Sequence, residues 1–560
     1  MKRTFGYLLF AFALISGLAL LRPTSNTLET TFLPESDGPG NPGFYEQWHL
    51  MRQNEAGIVP ANYLQTAREQ DAARAASGKT VVSPLSNIAE LGPVNVGGRT
   101  RAMVIDLNDH NHFIAGGISG GLWSSTDQGG TWTSINDQAQ SLAVTSLSQD
   151  PQHPSDIYFS TGEVRGNSAG IGGDGLYKST DGGSTFSQLP STASNSHFNR
   201  TWRIQCAPNQ AGVVYVATRS GGLYRTKDSG ATFSQVFAPF STTEVSDVEV
   251  FADSSVLIGV RTQGIYYSAN GDAGTFSQVT SNLPTTGFRR VEIDYCDSFP
   301  AIVYAVYEAS NGSEALGAWK STDQGQTWNA TGANPENTIS YRFPWYCLLL
   351  SVKPDDPDFV ISGGAQLGYT TDGGQNWSFA GPSHADYHNA VYDLDNPGIV
   401  YIGNDGGIYR YSSTSMFFAG LDRNATYNVT QFYTGAYFPN DAIIGGTQDN
   451  GTWRSQAGAA SFRKVSGGDG AFCAVNQQDP DYSFVSYQRG IIRRSSNSQA
   501  FIPGYSTILN QLDNDNDGSV DEGAYFINPF VINLAEGNQV YFTTRDRIWR
   551  TTDSGDNWAP

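Results

Sequence analysis

Basic residues are scarce in this chain. Lys and Arg number 33 against 53 Asp and Glu, a formal net charge of −20. That balance argues against a phosphate-neutralising stripe, and nucleic acid is not expected as a partner. Cysteine is scarcer: four in 560 residues. Cys206, Cys296, Cys347 and Cys473 each lie in an apolar, strand-like run such as "WRIQCAP" or "WYCLLLSV". Buried free thiols are expected, with one disulfide as the alternative. None has a His nearby in sequence, which leaves a thiol nucleophile without support. Long apolar runs are absent except for one, from about Phe5 to Leu21, preceded by Lys2 and Arg3 and followed by Arg22-Pro23. Charged-then-apolar order is the pattern of an export signal. The run is slightly long and lacks a clean small-x-small cleavage site, so an uncleaved anchor is the alternative. The protein is expected outside the cytoplasm, secreted or on the cell surface. No membrane contact is expected beyond such an anchor.

What is plentiful is glycine, at 62, and aromatic residues, at 12%. Many short strands joined by tight turns have that composition. An eight-letter spelling recurs: "STDQGGTW", "STDGGSTF", "TKDSGATF", "STDQGQTW", "TTDGGQNW" and "TTDSGDNW". Asp127, Asp181, Asp228, Asp323, Asp372 and Asp553 occupy its third place, and a degenerate copy, "SANGDAGTF", falls between Asp228 and Asp323. Successive copies stand about 45 to 55 residues apart, so about ten units fill the chain from Glu90 onward, with units seven to nine lacking the spelling. Each unit repeats an order of alternating run, apolar run, Gly-Gly, aromatic strand and turn, as in "NAVYDLDNPGIVYIGNDGGIYRY". Four short strands per such period is the arithmetic of a propeller blade. An Asp side chain accepts hydrogen bonds from its own turn, and the following Gly takes backbone angles a Cβ forbids. A catalytic residue is needed once per site, whereas this Asp recurs at blade spacing. The six aspartates are therefore expected to be structural.

The expected fold is all-β, a β-propeller of about ten four-stranded blades in one large ring or two smaller ones. Residues 1–27 read as the signal or anchor and 28–89 as a short helical or irregular lead-in. Residues 90–560 read as the propeller, with a candidate split near residue 420. The chain stops after its last copy, where a further strand is expected; an N-terminal strand or further sequence would supply it.

These motifs resemble Asp-box (bacterial neuraminidase) repeats. The opening "LGPVNVGGRTRAMVIDLNDHNHFIAGGISGGLWSSTDQGGTW" resembles secreted bacterial propellers of the sortilin-like and xyloglucanase-like kind. The likeness implies a propeller and says little of activity, since sialidases, xyloglucanases, receptors and assembly factors share the box. Xyloglucanase-type hydrolases carry a catalytic Asp in a Thr-Asp-x-Gly-Gly-x-Tyr stretch of an early blade. Here the matching stretch is "GISGGLW", which puts Ser119 in the carboxylate position. "GNDGGIYR" places Asp405 at the equivalent point of unit seven, and Asp469 in "SGGDGAF" and Asp449 in "GTQDNGTW" are the partner acids to consider. Glycosidic cleavage needs two carboxyls roughly 5 to 10 Å apart. The Arg-Ile-Pro signature of sialidases is absent.

Two further clusters stand out. In "LDNDNDGSVDEG", Asp513, Asp515, Asp517, Gly518 and Asp521 match positions one, three, five, six and nine of an EF-hand-like calcium loop. Position twelve is Ala524, with Glu522 as a substitute acid, so weak calcium binding and a solvated acidic turn are the two readings. In "SHADYHNAV", His384, Asp386 and His388 alternate, which on a strand turns all three to one face. Ligand contact, metal ligation and a hydrogen-bonded network closing strand ends all suit such a set. The sequence favours a binding protein for an extracellular carbohydrate or polypeptide, with no catalytic set assured. A glycoside hydrolase using Asp405, Asp469 and Asp449 is the rival, and an assembly or receptor module is a third class.

Overall fold

The computed structural model describes residues 90–559 apart from 138, 140, 165–169, 194, 501, 510–523 and 546, together with Gln70 and Ala73, both helical. All described residues belong to the unit Asn41–Pro560. The candidate signal, most of the lead-in and the candidate calcium residues Asp513, Asp515, Asp517 and Asp521 lie outside them. Among the described residues, no helix is long and apolar enough to cross a membrane.

Among the described residues, short alternating runs between Gly, Asn and Asp turns form ten antiparallel sheets, nine of four strands and one of three. In each, the strands pair in chain order. The first sheet runs Thr100–Ile105, Phe113–Gly117, Gly121–Ser125 and Thr133–Ser134. The seventh runs Tyr387–Tyr392, Ile399–Asn404, Gly407–Ser412 and Leu421–Asp422, and the eighth Phe432–Tyr437, Ile443–Thr447, Gly451–Ser455 and Phe462–Ser466. The protein is an all-β propeller.

Packing between sheets decides how they are arranged. The first strand of each of the first six sheets packs on that of the next, and Tyr387–Tyr392 of the seventh packs back on Thr100–Ile105, closing a ring. A single ring of ten is thereby excluded. Trp132 helps seal the closure, donating from its backbone N to Thr426 Oγ1 at 2.7 Å and from Nε1 to the Arg423 carbonyl at 2.8 Å. Among the described residues, the last three sheets continue as an open run, with Cys473–Val475 between Phe432–Tyr437 and Phe530–Ile532. Asn95 clasps that run to the ring, bonding Phe462 through both its amide nitrogen (2.9 Å) and its oxygen (2.8 Å). The core is a series of apolar slabs between neighbouring sheets. One joins Tyr215, Ala217 and Leu223 to Val248, Val256 and Ile258. Each fully buried side chain of this kind contributes about 1.5–3 kcal/mol. All four cysteines are buried and free.

The recurrent aspartates build their turns in one way. Asp127 Oδ1 accepts from Ser125 Oγ (2.7 Å) and Thr131 N (2.8 Å), while Oδ2 accepts from Thr131 Oγ1 (2.9 Å). Asp181, Asp228, Asp323, Asp372 and Asp553 repeat the pattern. The Gly after each has positive φ; at Gly183 (+89°) a Cβ would also fall 2.1 Å from Ile114 Cδ1. In the degenerate copy Asn270 replaces the aspartate and accepts from Thr275 Oγ1 at 3.0 Å. The ninth sheet, where the spelling is lost, keeps a relic: Asn497 Oδ1 accepts from Ser495 Oγ and Gly504 N.

Candidate ligand-binding site

One motif folds differently from its spacing. Tyr387–Tyr392 begins only after Asp386, whose φ of +66° turns the chain just before the strand. His384, Asp386 and His388 therefore do not share a strand face, because alternation requires extended backbone at every step. His388 alone of the three is on the strand.

From there its imidazole reaches Asp405, in the turn between the second and third strands of the seventh sheet. His388 Nε2 lies 2.6 Å from Asp405 Oδ1, and both side chains are 1% exposed. Tyr346, just before the first strand of the sixth sheet (Leu349–Lys353), donates to Asp405 Oδ2 at 2.8 Å. Asn450 Nδ2 donates to the Asp405 carbonyl at 2.9 Å, tying the turn to the eighth sheet. Beneath lie two arginines from the start of the first sheet. Arg99 Nε donates to Gln431 (2.7 Å), with Nη1 near Tyr346 Oη (3.4 Å) and Glu163 (3.6 Å). Arg101 pairs with Glu163 at 3.1 Å and stacks its guanidinium 4.6 Å from the Tyr346 ring centroid.

This cluster sets opposite ionisation states side by side. Burial by itself would push the Asp405 carboxyl up; His388, Arg99 and Arg101 outweigh it and hold Asp405 below its usual range. Burial, reinforced by Arg101, lowers His388 to about 4. At pH 7 the imidazole is neutral, and the proton facing the anionic carboxylate sits on Nε2. Asp386 is pushed up to about 7 by burial and by the Asp405 charge. Asp449 is raised well above the carboxylate range by burial, Asp405 and Asp469.

Asp386, Asp405 and Asp449 line one recess of about 180 Å3, walled by Phe343, Trp345 and Tyr346, with Arg99 and Gln448 completing it. Phe343 is 47% exposed and Trp345 half-buried, their rings edge-to-face at 6.4 Å. Aromatic faces stay in reach of solvent there, beside carboxyls held in low dielectric. Not every carboxyl is available. Both Asp405 oxygens are occupied by His388 and Tyr346. Asp469, 5% exposed, accepts from the Asp449 backbone N with Oδ1 (2.5 Å) and from Gln488 with Oδ2 (3.1 Å). Asp449 Oδ2 is buried and without a hydrogen-bond partner. His384 is held by the Asp449 carbonyl, 3.0 Å from its Nε2. Thus three of the proposed acids converge on one recess or its back wall, and the histidines brace it from two sides. A metal would find His388 Nε2 already committed to Asp405. Among the described residues one group has metal-ligand spacing, Asp150, His153 and Asp156. Asp150 is spent on Gly212 N and Gln152 N, and Asp156 on Lys178.

A second cavity, about 240 Å3, lies where the inner strands of the ring meet and is lined by Arg101, Arg203, Arg290, Glu292, Trp202 and His388. His388 thus stands between this cavity and the recess that Asp405 lines. Arg99, Tyr346, Phe343 and Trp345 were missed in the sequence. The run "YRFPWYC" carried a signal: four aromatics around a Pro break the alternation seen elsewhere.

The model of the DUF6242 beta propeller domain matches residues 173–425. No curated protein matches the chain by sequence. In structure the chain is similar to the Niastella koreensis GH74 enzyme, at 16% identity and a TM-score of 0.61, over 84% of this chain and 74% of that one. It is similar to the GH74 xyloglucanase of Xanthomonas campestris at 15% identity and a TM-score of 0.62, with the same coverage. An ancestral GH74 enzyme gives 17%, 0.62, and coverage of 83% and 68%.

Proposed function

This chain is a β-propeller resembling xyloglucanase-like proteins, and we propose that it is an exported glycan-binding protein that holds a sugar unit in the recess at Trp345. The observation carrying this reading is the pairing, in one recess, of solvent-reachable aromatic rings with carboxyls such as Asp449 that keep an open oxygen. Sugar rings offer apolar C–H faces to aromatic side chains and hydroxyls to buried polar groups. Export is supported by the charged-then-apolar start at Lys2–Leu21. Calorimetric titration with xyloglucan and other polysaccharide oligomers tests the reading. Trp345→Ala is expected to weaken binding at least about tenfold with an unchanged melting temperature; undiminished binding would overturn it.

A second reading is glycoside hydrolysis, favoured by the raised Asp386 and Asp449 beside an ionised Asp405. A protonated and an ionised carboxyl in one site is the acid–base arrangement such cleavage uses. Because both oxygens of Asp405 and of Asp469 are committed, Asp449 would serve as the acid and Asp386, raised only to about 7 and so ionising near neutral pH, as the base. Reducing-sugar release that vanishes in Asp449→Asn supports this reading; no release from any polysaccharide that binds removes it.

A further inference from the structure

Resting on the glycan-binding reading, we infer that the recess beside Trp345 selects an amino sugar with a free ammonium group over a neutral sugar. Charge in the recess is one-sided. Asp386, Asp405 and Asp449 line it and Asp469 stands directly behind Asp449. The single cation lining it, Arg99, is engaged by Gln431, Tyr346 and Glu163. Arg101 is paired with Glu163 and stacks on the Tyr346 ring.

Independently of the charge count, one acceptor in the recess is unmet. Asp449 Oδ2 is buried, faces no hydrogen-bond donor, and belongs to a side chain lining the cavity. A buried carboxyl oxygen left unmet costs about 1–3 kcal/mol, which a ligand N–H would recover. An ammonium presents three donors and a full positive charge, and so answers the missing bond and the crowding of carboxyls together. The raised Asp386 and Asp449 are consistent with this: burial first, and then the neighbouring Asp405 charge, push both up, with Arg101 and Arg99 offsetting only part of the effect. The aromatic wall suits a cation as well as a sugar face: Phe343 and Trp345 offer ring quadrupoles to both.

Size favours a sugar over a lysine side chain. At about 180 Å3 the recess is below the roughly 300–1,000 Å3 of sites for larger ligands. It has room for a single sugar ring, and Gln448 lines it as a polar group that hydroxyls can use and a lysine stem cannot.

The test titrates the full chain at pH 7 with a β-1,4-linked glucosamine tetramer, its fully N-acetylated counterpart, cellotetraose and tetralysine. The glucosamine oligomer is expected to bind at least about tenfold more tightly than the other three. Asp449→Asn should bring it down to the affinity of the neutral oligomers, with Asp386→Asn as a second variant and melting curves checking that both fold. Cellotetraose or the acetylated oligomer binding as tightly as the amine would overturn the inference and leave the glycan reading standing. Tetralysine binding most tightly would assign the recess to a polypeptide and overturn it. Binding of none of the four, nor of any other glycan, would retire both the inference and the reading beneath it.

Discussion

The seven-sheet ring and the three-sheet run use the same grammar of strands and turns, yet they bury it differently. In the ring, all six residues of the inner strand Val245–Val250 are buried. The corresponding strand of the eighth sheet, Phe432–Tyr437, has none buried, with Phe432 42% and Tyr437 60% exposed. Val531 and Ile548 of the tenth sheet are each 60% exposed. A blade buries its faces only against neighbours, so a closed cycle covers every sheet twice and an open run leaves its end sheets half covered. Burial here belongs to the arrangement, and strand sequence alone does not set it.

The sharpest way to test that contrast is to remove one large side chain from each region. Trp328→Ala empties a fully buried site between the fourth and fifth sheets and is expected to cost about 3–5 kcal/mol. Phe432→Ala, on an exposed strand, should cost under about 1 kcal/mol. Denaturant unfolding followed by Trp fluorescence checks both, and equal losses would erase the distinction.

His388, on the ring's closing sheet, gives the next effect. Its folded value of about 4 lies below the ordinary 6.5, so between those values the unfolded chain binds more protons than the folded one. Stability attributable to His388 is thus complete above about pH 6.5 and is lost as pH falls toward 4, by at most about 3 kcal/mol. Asp386 and Glu292, both raised to about 7, act in the opposite sense, losing stability as pH rises toward 7. The difference between wild-type and His388→Gln melting profiles isolates the imidazole. A difference that does not vary with pH would show that the imidazole is not held neutral.

Asp323→Ala should cost about 1 kcal/mol, since it strands the Thr327 N–H and the hydroxyls of Ser321 and Thr327 in a partly wet turn. Sugar binding should not change, and a selective loss of binding would contradict a structural role. The smallest effect concerns the run alone. Calcium at about 10⁻⁴ to 10⁻³ M is expected to slow proteolysis around Asp515, with affinity in the range of extracellular modules. Identical cleavage with calcium and with chelator would remove the calcium assignment.

The repeats were legible because each is local: the aspartate, its Gly and the closing aromatic lie within eight residues, and local hydrogen bonds suffice to build the turn. Even so, spelling undercounted geometry, for Asn497, like Asn270 of the degenerate copy, does the same work as the aspartates with a neutral amide. The site was legible only in part. His388 and Asp405 stood out as polar residues opening their unit, but Arg99 sits 289 positions before His388 and no local pattern joins them. The alternation of His384, Asp386 and His388 misled because one left-handed residue, Asp386, ends the extended backbone that gives alternation its meaning.

By itself, then, the sequence determined the strands, their turns, the free buried thiols and the acidic character of the chain, since each follows from short-range periodicity or from composition. Tertiary structure decided that seven sheets close where ten were counted, and that carboxyls from the seventh, eighth and ninth units meet aromatics leading into the sixth. Closure and convergence depend on twist and packing summed over hundreds of residues. Those terms bring Thr100–Ile105 against Tyr387–Tyr392 and Asp405 against Tyr346, and only the folded ring evaluates them.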